Sequence, residues 1–400
     1  MSGRWLSIIG IGEDGLDGLS PAASRLLAQA RFIVGGPRHL ALLPDTGSER
    51  MAWPSPLEAG IEAVAARRGE AVCVLASGDP FLYGVGSVLS GRIPAEEMIC
   101  LPAPSSLSLA AARLGWGLQD CEIVSLHGRP FERIVPHLRP GARLLVLSWD
   151  AATPEKLARC LAGRGLGAAR LVLLEALGGG RERISESRAE DFSPVSVDSL
   201  NLVAIEIGEA PLAPYIPLTP GLPDDWFESD GQITKREIRA LTLSALAPWP
   251  GALLWDIGAG SGSVAIEWML AHPRNRALAI EARSERAERI TRNAAALGVP
   301  DLVVLTGKAP DRLADLPAPD AIFVGGGGDE VIDAAWELLP AGRRLVVNAV
   351  TLETQQSLTD RQARLGGDLL SIGIAYAEGL GRYRGWRPSM PIVQWKVVKP

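Results

Sequence analysis

The sequence is poor in features that mark several classes of protein. Its four cysteines, Cys73, Cys100, Cys121 and Cys160, lie far apart and form no C-x-x-C pair, and its four histidines are equally scattered. This spacing argues against a disulfide framework and against a zinc site, so no metal is expected. It predicts buried, free thiols in a reducing compartment.

Long apolar runs and an excess of positive charge are also missing. No apolar stretch reaches the roughly 20 residues of a membrane-spanning helix, and the first residues lack the pattern of a signal peptide. We therefore expect a cytoplasmic protein with no membrane partner. The formal net charge is −6, and residues 1–208 carry 20 basic and 23 acidic groups. Because neither half is basic, nucleic acid is not an expected substrate.

What the sequence does contain is a glycine-rich turn, Asp256-Ile-Gly-Ala-Gly-Ser-Gly262, between an apolar strand pattern and a helix pattern that begins near Ser263. Gly258 and Gly260 allow a tight turn and the close approach of a ligand. The positive end of the following helix favours an anionic group. This arrangement predicts a cofactor site at the carboxyl end of the strand.

The spacing of the glycines narrows the choice of cofactor. A dinucleotide fingerprint requires G-x-G-x-x-G/A, but Ser263 stands at the third glycine position. A second strand pattern ends in Glu281, which can accept hydrogen bonds from a ribose diol. The acidic-x-G-x-G-x-G pattern with Glu281 resembles the class I S-adenosylmethionine methyltransferases, which have a Rossmann-like α/β fold; a structural βαβ turn and an NAD site stay open. The resemblance implies cofactor contacts from Asp256, Gly258, Ala259, Gly260, Ser261, Gly262 and Glu281.

The first half repeats a strand that ends in a Gly/Ser/Pro turn. The segments Ile8-Ile-Gly-Ile-Gly12, Ser77-Gly-Asp-Pro80, Pro104-Ser-Ser106 and Ser125-Leu-His-Gly-Arg129 occur in this order. Together they resemble the tetrapyrrole methylase family, which binds S-adenosylmethionine between two α/β subdomains. The resemblance implies a second cofactor site, with contacts from Gly10, Gly12, Gly78, Asp79, Pro80, Tyr83, Ser105 and Ser106.

Several of these residues also have purely structural explanations. Gly10 and Gly12 are explained equally well by a turn, and Asp79 between glycine and proline is a common turn residue. His127 is a structural histidine or a base. Arg129 beside it is suited to bind a substrate carboxylate through two hydrogen bonds.

A proline-rich stretch separates the two halves, with five prolines in residues 210–223. Such a segment is stiff and extended. We therefore predict an α/β tetrapyrrole methylase-like domain at 1–208, with a subdomain break near 115–125. A linker at 209–228 and a class I methyltransferase domain at 229–400 complete the prediction.

Further segments of the second half add candidate residues. Thr234 and Glu237 form an S/T-x-x-E capping box, although the Q-I-T-K segment also resembles a cofactor-contacting turn of cobalamin-pathway methyltransferases. Lys308 replaces the acid that class I enzymes usually carry, whereas Ala309 keeps the backbone contact position. Two residues of the V-N-A-V-T-L-E-T segment, Asn348 and Glu353, are candidate proton donors, and helix capping explains them equally well.

The carboxyl-terminal residues 379–400 carry arginines and lysines and no acid. Such a local cationic run suits a ligand with several carboxylates, and a solvated hairpin is the alternative. The residues of interest are Arg382, Arg384 and Arg387.

The two resemblances together identify the chain as a member of the bifunctional precorrin-6Y C5,15-methyltransferase (decarboxylating) family of cobalamin biosynthesis. Membership implies methylation of a precorrin (precorrin-6B/6Y) at C5 by the first half. It assigns C15 methylation and loss of CO₂ from the ring-C acetate to the second half. We expect a homo-oligomer with one S-adenosylmethionine site in each domain. The alternatives are a two-domain methyltransferase acting on RNA or protein and a nicotinamide-dependent oxidoreductase.

Overall fold

The computed structural model describes residues 3–45, 47–194, 196–209 and 213–400. The chain forms two compact units. The first unit contains Met1–Arg129 and Arg139–Pro214, and the second contains Pro130–Leu138 and Tyr215–Pro400. Part of the predicted linker, residues 210–212, lies outside the described residues.

The first unit begins with a parallel sheet in the order β3-β2-β4-β1-β5. The side chain of Ser20 caps the first helix by accepting a hydrogen bond from the Ala23 amide. The strands are β1 (Leu6–Ile11), β2 (Phe32–Gly35), β3 (Glu49–Ala52), β4 (Val72–Ser77) and β5 (Met98–Leu101). The helices are α1 (Pro21–Gln29), α2 (Pro37–Ala41), α3 (Leu57–Ala65), α4 (Val85–Leu89) and α5 (Ser106–Leu114).

A second sheet completes the first unit, and it is partly antiparallel. Its order is β6-β7-β10-β8-β9, and only the pair β6 and β7 is parallel among the pairings described. Cys73 is buried as expected, but Cys100, Cys121 and Cys160 are half-buried. The elements are β6 (Glu122–Ser125), β7 (Arg143–Leu147), α6 (Thr153–Gly163), β8 (Arg170–Glu175), β9 (Arg183–Arg188) and β10 (Asn201–Glu206).

The second unit is built on a sheet in the order β13-β12-β11-β14-β15-β19-β16. Strands β11 to β15 are parallel, and β19 pairs antiparallel with β15 and β16. The strands are β11 (Leu253–Ile257), β12 (Arg276–Glu281), β13 (Val303–Thr306), β14 (Ala321–Val324), β15 (Arg344–Ala349), β16 (Asp368–Ile372) and β19 (Ile392–Val398). A separate hairpin joins β17 (Ala375–Leu380) to β18 (Tyr383–Pro388). The helices are α7 (Arg236–Leu246), α8 (Ser263–Leu270), α9 (Ser284–Ala296), α10 (Asp329–Leu338) and α11 (Leu352–Leu365).

Tryptophans anchor the core of the second unit. Trp255, Trp268 and Trp395 are at most 2% exposed. Each indole N–H donates to a backbone carbonyl, for example Trp395 to Gly366 at 3.0 Å, so burial leaves no unpaired donor. Among the described residues, no helix is both long and apolar enough to cross a membrane.

Candidate active sites

The glycine loop of the second unit has the predicted order of strand, turn and helix. β11 ends at Ile257, and α8 begins at Ser263. Between them, Gly258, Gly260 and Gly262 have φ angles of +73°, +62° and +76°. Residues with a Cβ rarely adopt this left-handed conformation, so the curve of the loop requires glycine.

Asp256 lies fully buried beneath this loop. One of its carboxylate oxygens, Oδ2, accepts a hydrogen bond of 3.0 Å from the Ala265 amide, which satisfies a free donor of the first turn of α8. Burial, assisted by the negative charge of Glu281, raises the pKa of Asp256 to about 7. Asp256 therefore links the end of β11 to the first turn of α8, the two elements that the loop connects.

Glu281 at the end of β12 is tied to the same loop. Its Oε2 accepts a hydrogen bond of 2.9 Å from the Gly260 amide, and its Oε1 accepts one of 3.1 Å from the Arg283 amide. A carboxylate can accept about four hydrogen bonds. Glu281 therefore keeps acceptor capacity for a ligand that bears hydroxyl groups.

A cavity of about 950 Å³ opens at the carboxyl ends of β11 to β15. This volume is at the upper end of the range typical of small-molecule sites. Its wall combines loop backbone with charged, uncharged polar and apolar side chains. The charged ones are Lys235, Glu281, Arg283, Arg286 and Lys308, and the apolar ones include Ile238, Phe323, Val331, Val350, Ile372, Ile374, Met390 and Ile392.

The residues expected to contact a cofactor in this unit fall into two groups. Asp256, Ser261 and Gly262 are buried and are not among the residues that line the cavity: the Ser261 carbonyl accepts from Asn293 at 2.9 Å, and Gly262 faces Ile290. The other group lines the cavity and consists of Thr234, Gly258, Ala259, Gly260, Glu281 and Ala309, together with the candidate catalytic residue Asn348.

The capping box predicted at Thr234 and Glu237 is wrong. The helix begins at Arg236, its N-cap position is Lys235, and no side chain caps it. Both predicted partners are engaged elsewhere. The Thr234 carbonyl accepts a hydrogen bond of 2.5 Å from Arg239, and the Glu237 carboxylate accepts one of 2.7 Å from the Tyr376 hydroxyl.

Arg239 is the centre of a buried ionic network that the sequence did not reveal. It is 0% exposed, and its Nε donates to Glu267 Oε1 at 2.5 Å. A second nitrogen, Nη1, donates to Asp224 at 3.1 Å and to the Thr234 carbonyl. Glu267 in turn accepts from the Gly221 amide at 2.6 Å. The network thus fixes the segment before α7, which forms one side of the cavity.

Tyr376 and Met390 also line the cavity, and sequence patterns did not point to either. The hydrogen bond between the Tyr376 hydroxyl and Glu237 raises the pKa of Tyr376 and lowers that of Glu237. It joins the first strand of the hairpin to the start of α7. Such a pairing between segments distant in the sequence leaves no local signal.

Glu353 and the carboxyl-terminal arginines lie outside the group that lines the cavity. Glu353 is in the first turn of α11, which is capped by Thr351. Arg384 and Arg387 are on β18, and Arg387 pairs with Glu378 at 3.0 Å. The guanidinium of Arg382, at the hairpin turn, lies 5.1 Å from the Tyr383 ring centroid. Glu378 partly offsets a run that contains no acid of its own.

The first unit brings the turns after β1, β4 and β5 together at one edge of its sheet. A Cβ on Gly10 would lie 1.9 Å from the Gly78 carbonyl oxygen and 2.4 Å from the Ala103 amide. The Ala103 amide donates to that same carbonyl at 3.0 Å. Gly10 is therefore required because two loops pack directly on its backbone. The neighbouring Gly12 faces the Asp14 side chain.

The other predicted residues of this edge form local contacts. Asp79 Oδ1 accepts from the Phe81 amide at 2.8 Å, next to Pro80, as in a turn. Ser105 caps α5, which starts at Ser106, by accepting from the Ser108 amide. Tyr83 has a φ of +55° and is 50% exposed, and the Arg129 guanidinium lies 5.2 Å from its ring centroid.

A histidine and an arginine near this edge were missed by the sequence analysis. His39 Nε2 and an Arg38 nitrogen lie 3.0 and 2.9 Å from the Ser77 hydroxyl at the end of β4. Burial, with the charge of Arg38, lowers the pKa of His39 to about 4, so this histidine is neutral at physiological pH. His127 is exposed, and its ring lies 6.2 Å from that of Trp149.

Two family models match the chain, one in each half. Residues 6–192 match the family described as Tetrapyrrole (Corrin/Porphyrin) Methylases. Residues 225–399 match the family described as Precorrin methyltransferase domain.

Individual relatives match almost the whole chain. A precorrin-6Y C(5,15)-methyltransferase [decarboxylating] of Sinorhizobium sp is 55% identical over 399 residues, which cover 99% of this chain and 96% of the relative. A protein of the same description from Mycobacterium tuberculosis is 41% identical over 98% of this chain and 99% of its own length. The solved C-terminal domain of a Rhodobacter capsulatus precorrin-6Y C5,15-methyltransferase is 52% identical, with a TM-score of 0.44, and covers 46% of this chain and 100% of that chain. The chain belongs to the precorrin-6Y C(5,15)-methyltransferase (decarboxylating) family.

Proposed function

We propose that the chain methylates a precorrin at C5 and C15 and removes CO₂ from its ring-C acetate, with S-adenosylmethionine as the methyl donor. The observation that carries this proposal is the cavity of about 950 Å³ beside the glycine loop and Glu281. Relatives that match end to end and carry this activity in their names support it.

In the second unit, the wall of the cavity suits the cofactor. The backbone at Gly258 and Gly260 has no Cβ, so a ligand can approach it closely. Glu281 keeps acceptor capacity for the ribose hydroxyls, and the backbone of Ala309 is available to the adenine. Lys308 stands where an acid usually binds the adenine amine, so adenine recognition here rests on backbone contacts.

The first unit carries the second proposed cofactor site. Its loops after β1, β4 and β5 meet at one edge, where Gly10 and Gly78 are packed backbone to backbone. In this proposal, the turn at Asp79 gives the loop its shape, and Ser105 at the start of α5 brings free backbone N–H groups to the ligand. The remaining expected contacts are Gly12, Pro80, Tyr83 and Ser106.

The chemistry requires mainly positioning. S-adenosylmethionine supplies an electrophilic methyl group when bound, and the meso carbons of reduced tetrapyrroles are enamine-like nucleophiles. Neither a cysteine or serine nucleophile nor a strong base is needed, and the protein must align the two carbons and exclude water. The apolar wall formed by Phe323, Val331 and Ile392 fits this task.

Arginines are the proposed partners of the substrate's peripheral carboxylates. Arg129 is the candidate in the first unit, and Arg382, Arg384 and Arg387 are the candidates in the second. Guanidinium groups can bind carboxylates through two parallel hydrogen bonds. In the proposal, C5 methylation belongs to the first unit, and C15 methylation and decarboxylation belong to the second.

Titration calorimetry and a matched pair of glycine variants test this proposal. The wild-type chain should bind two S-adenosylmethionine molecules. Gly260→Val should remove one of them, together with C15 methylation, and should leave C5 methylation intact. Gly342→Val is the control because Gly342 has a similar φ of +76°, with nothing within 4 Å of its Cβ position.

Two outcomes would contradict the proposal. Binding of NAD without S-adenosylmethionine would indicate an oxidoreductase. Methylation of RNA or protein in place of precorrin would indicate the other alternative, although neither half carries the excess of basic groups typical of proteins that bind RNA.

A further inference from the structure

Three uncharged polar side chains meet between α7, β15 and β19 of the second unit. Thr242 of α7 is 0% exposed and Gln394 of β19 is 4% exposed, whereas Asn348 of β15 reaches the wall of the cavity. Asn348 Nδ2 donates to Thr242 Oγ1 at 2.9 Å, and Gln394 Nε2 donates to Asn348 Oδ1 at 2.9 Å. Gln394 Nε2 also lies 3.2 Å from Thr242 Oγ1. A buried polar group destabilises a core unless it forms hydrogen bonds, and these three side chains form such bonds with one another.

The hydroxyl of Thr242 determines how the Asn348 amide is oriented. That hydroxyl donates to the Ile238 carbonyl at 2.8 Å, so its oxygen can only accept from other groups. The nitrogen of Asn348 must therefore face Thr242, and its oxygen must face the Gln394 nitrogen. An asparagine amide has two N–H donors and two acceptor positions. This network uses one of each and leaves an N–H and an acceptor position for a ligand in the cavity.

The part of the cavity around Asn348 differs from the part around Glu281. The sheet order places β12 and β13 on one side of β11 and β14 and β15 on the other. Glu281, Arg283 and Lys308 follow the first pair of strands. The lining residues at and after the ends of β14 and β15 carry no charge: they are Gly325, Gly326, Gly327, Val331, Asn348 and Val350. Lys235, at the start of α7, also lines the cavity and lies 3.7 Å from the carboxylate of Asp224.

We infer that Asn348 holds the acetate carboxylate that the substrate loses, and that Thr242 and Gln394 are positioning residues for its amide. The inference rests on the proposed function. A neutral amide among uncharged neighbours stabilises a carboxylate less than an arginine does. Because the negative charge spreads into the macrocycle as CO₂ forms, such surroundings favour the transition state over the bound substrate.

The step balances without a further group from the protein. The bond between the methylene carbon and the carboxylate carbon breaks, CO₂ leaves, and the electron pair enters the conjugated macrocycle. A proton from water then adds to the methylene carbon, which becomes a methyl group. Asn348 does not supply that proton, since an amide N–H is not an acid at physiological pH.

The test follows the two reactions of the second unit separately. With precorrin-6Y and S-adenosylmethionine, mass spectrometry distinguishes the gain of a methyl group from the loss of CO₂. Thr242→Val and Gln394→Met should each lower the rate of decarboxylation about tenfold, as expected for one lost hydrogen bond. The rate of C15 methylation should change less than about twofold, an effect as small as that of a substitution at a surface position. Asn348→Asp should lower decarboxylation more than about a hundredfold because it sets two negative charges side by side.

Matched variants separate positioning from a general loss of structure. Thr242→Ser keeps the hydroxyl and should restore most of the decarboxylation rate. Thr359→Val removes an exposed hydroxyl that makes the same bond to a carbonyl one turn earlier, to Gln355 at 2.9 Å, and should change neither reaction. If Thr242→Val slows both reactions equally, the inference is overturned.

The failure of this inference is distinct from the failure of the proposed function. If the second cavity binds no S-adenosylmethionine, the proposed function fails first. If the cofactor binds and both reactions proceed, but decarboxylation is unchanged in Asn348→Asp, then only the role of Asn348 is rejected.

Discussion

Glycine is required for different reasons at the end of β1 in the first unit and in the loop after β11 in the second unit. Gly10 lies within a strand and is needed for space, because a Cβ would lie 1.9 Å from the Gly78 oxygen. Gly258 and Gly260 are needed for conformation, because their φ angles of +73° and +62° are left-handed. The absence of a side chain at Gly10 lets the loops after β4 and β5 pack against β1, whereas Gly258 and Gly260 let the loop after β11 curve beside the cavity.

The difference extends to the acids beside each turn. Asp79 in the first unit is bound to an exposed amide of its own loop, that of Phe81. In the second unit, Asp256 and Glu281 hold the loop from inside the sheet. The loop after β11 is thus held partly by Glu281 of another strand, so a change outside the loop should alter it.

Removal of Arg239 should have the largest effect of the three changes, and it acts on the second unit. Arg239→Leu leaves Glu267 buried without its charged partner, and we expect a loss of about 3–5 kcal/mol in unfolding free energy. Denaturant titration measures this loss. Affinity for S-adenosylmethionine should fall as well, because the Thr234 carbonyl loses its donor.

Two further variants control this experiment. Arg292→Leu disrupts an exposed pair with Glu228 and should cost less than about 1 kcal/mol. The double variant Arg239→Leu/Glu267→Leu should recover part of the lost stability, since no unpaired charge remains buried. Equal losses from Arg239→Leu and Arg292→Leu would contradict a special role for the buried pair.

Asp256 should give the second unit a pH dependence of stability. The pKa of Asp256 is about 7 in the folded protein, against 3.8 for an exposed aspartate, so this carboxyl binds more protons in the folded state. Its favourable contribution is therefore complete below pH 3.8 and is lost as pH rises through about 7. Relative to wild type, Asp256→Asn should gain on the order of 3 kcal/mol of unfolding free energy between pH 4 and pH 8.

Denaturant titrations of both proteins across this pH range measure the difference. Glu281→Gln should narrow the pH window, because the charge that helps to raise the pKa of Asp256 is removed. A difference between Asp256→Asn and wild type that does not vary with pH would contradict the buried, titrating carboxyl.

Gly10→Ala should have the smallest effect of the three changes, and it acts on the first unit. The added methyl meets the backbone at Gly78 and Ala103, and overpacking of this kind costs about 1–3 kcal/mol. C5 methylation should fall while C15 methylation continues. Gly163→Ala is the matched control in the same unit, since Gly163 ends α6 and nothing lies within 4 Å of its Cβ position.

Local patterns predicted most of the elements and the position of the glycine loop. The strands that end in Gly/Ser/Pro turns and the loop from Asp256 to Gly262 are determined by neighbouring residues, so the sequence shows them directly.

The supports of the cavity could not be predicted, because they join residues that are far apart in the chain. The capping box was wrong for this reason. The Thr234 carbonyl accepts from Arg239, the Glu237 carboxylate accepts from Tyr376, and the helix starts at Arg236. The same argument covers the neutral His39 beside Ser77, whose partner is two strands away in the sequence.

The tryptophans of the second unit differ in exposure, so their fluorescence reports on different regions of that unit. Trp255 is buried directly before the glycine loop, whereas Trp386 on the hairpin is 77% exposed. A soluble collisional quencher such as iodide should reach the emission of Trp386 and not that of Trp255. Occupation of the hairpin by a large conjugated ligand would therefore shield Trp386 from quenching, and unfolding of the core would shift the emission of Trp255 to longer wavelength.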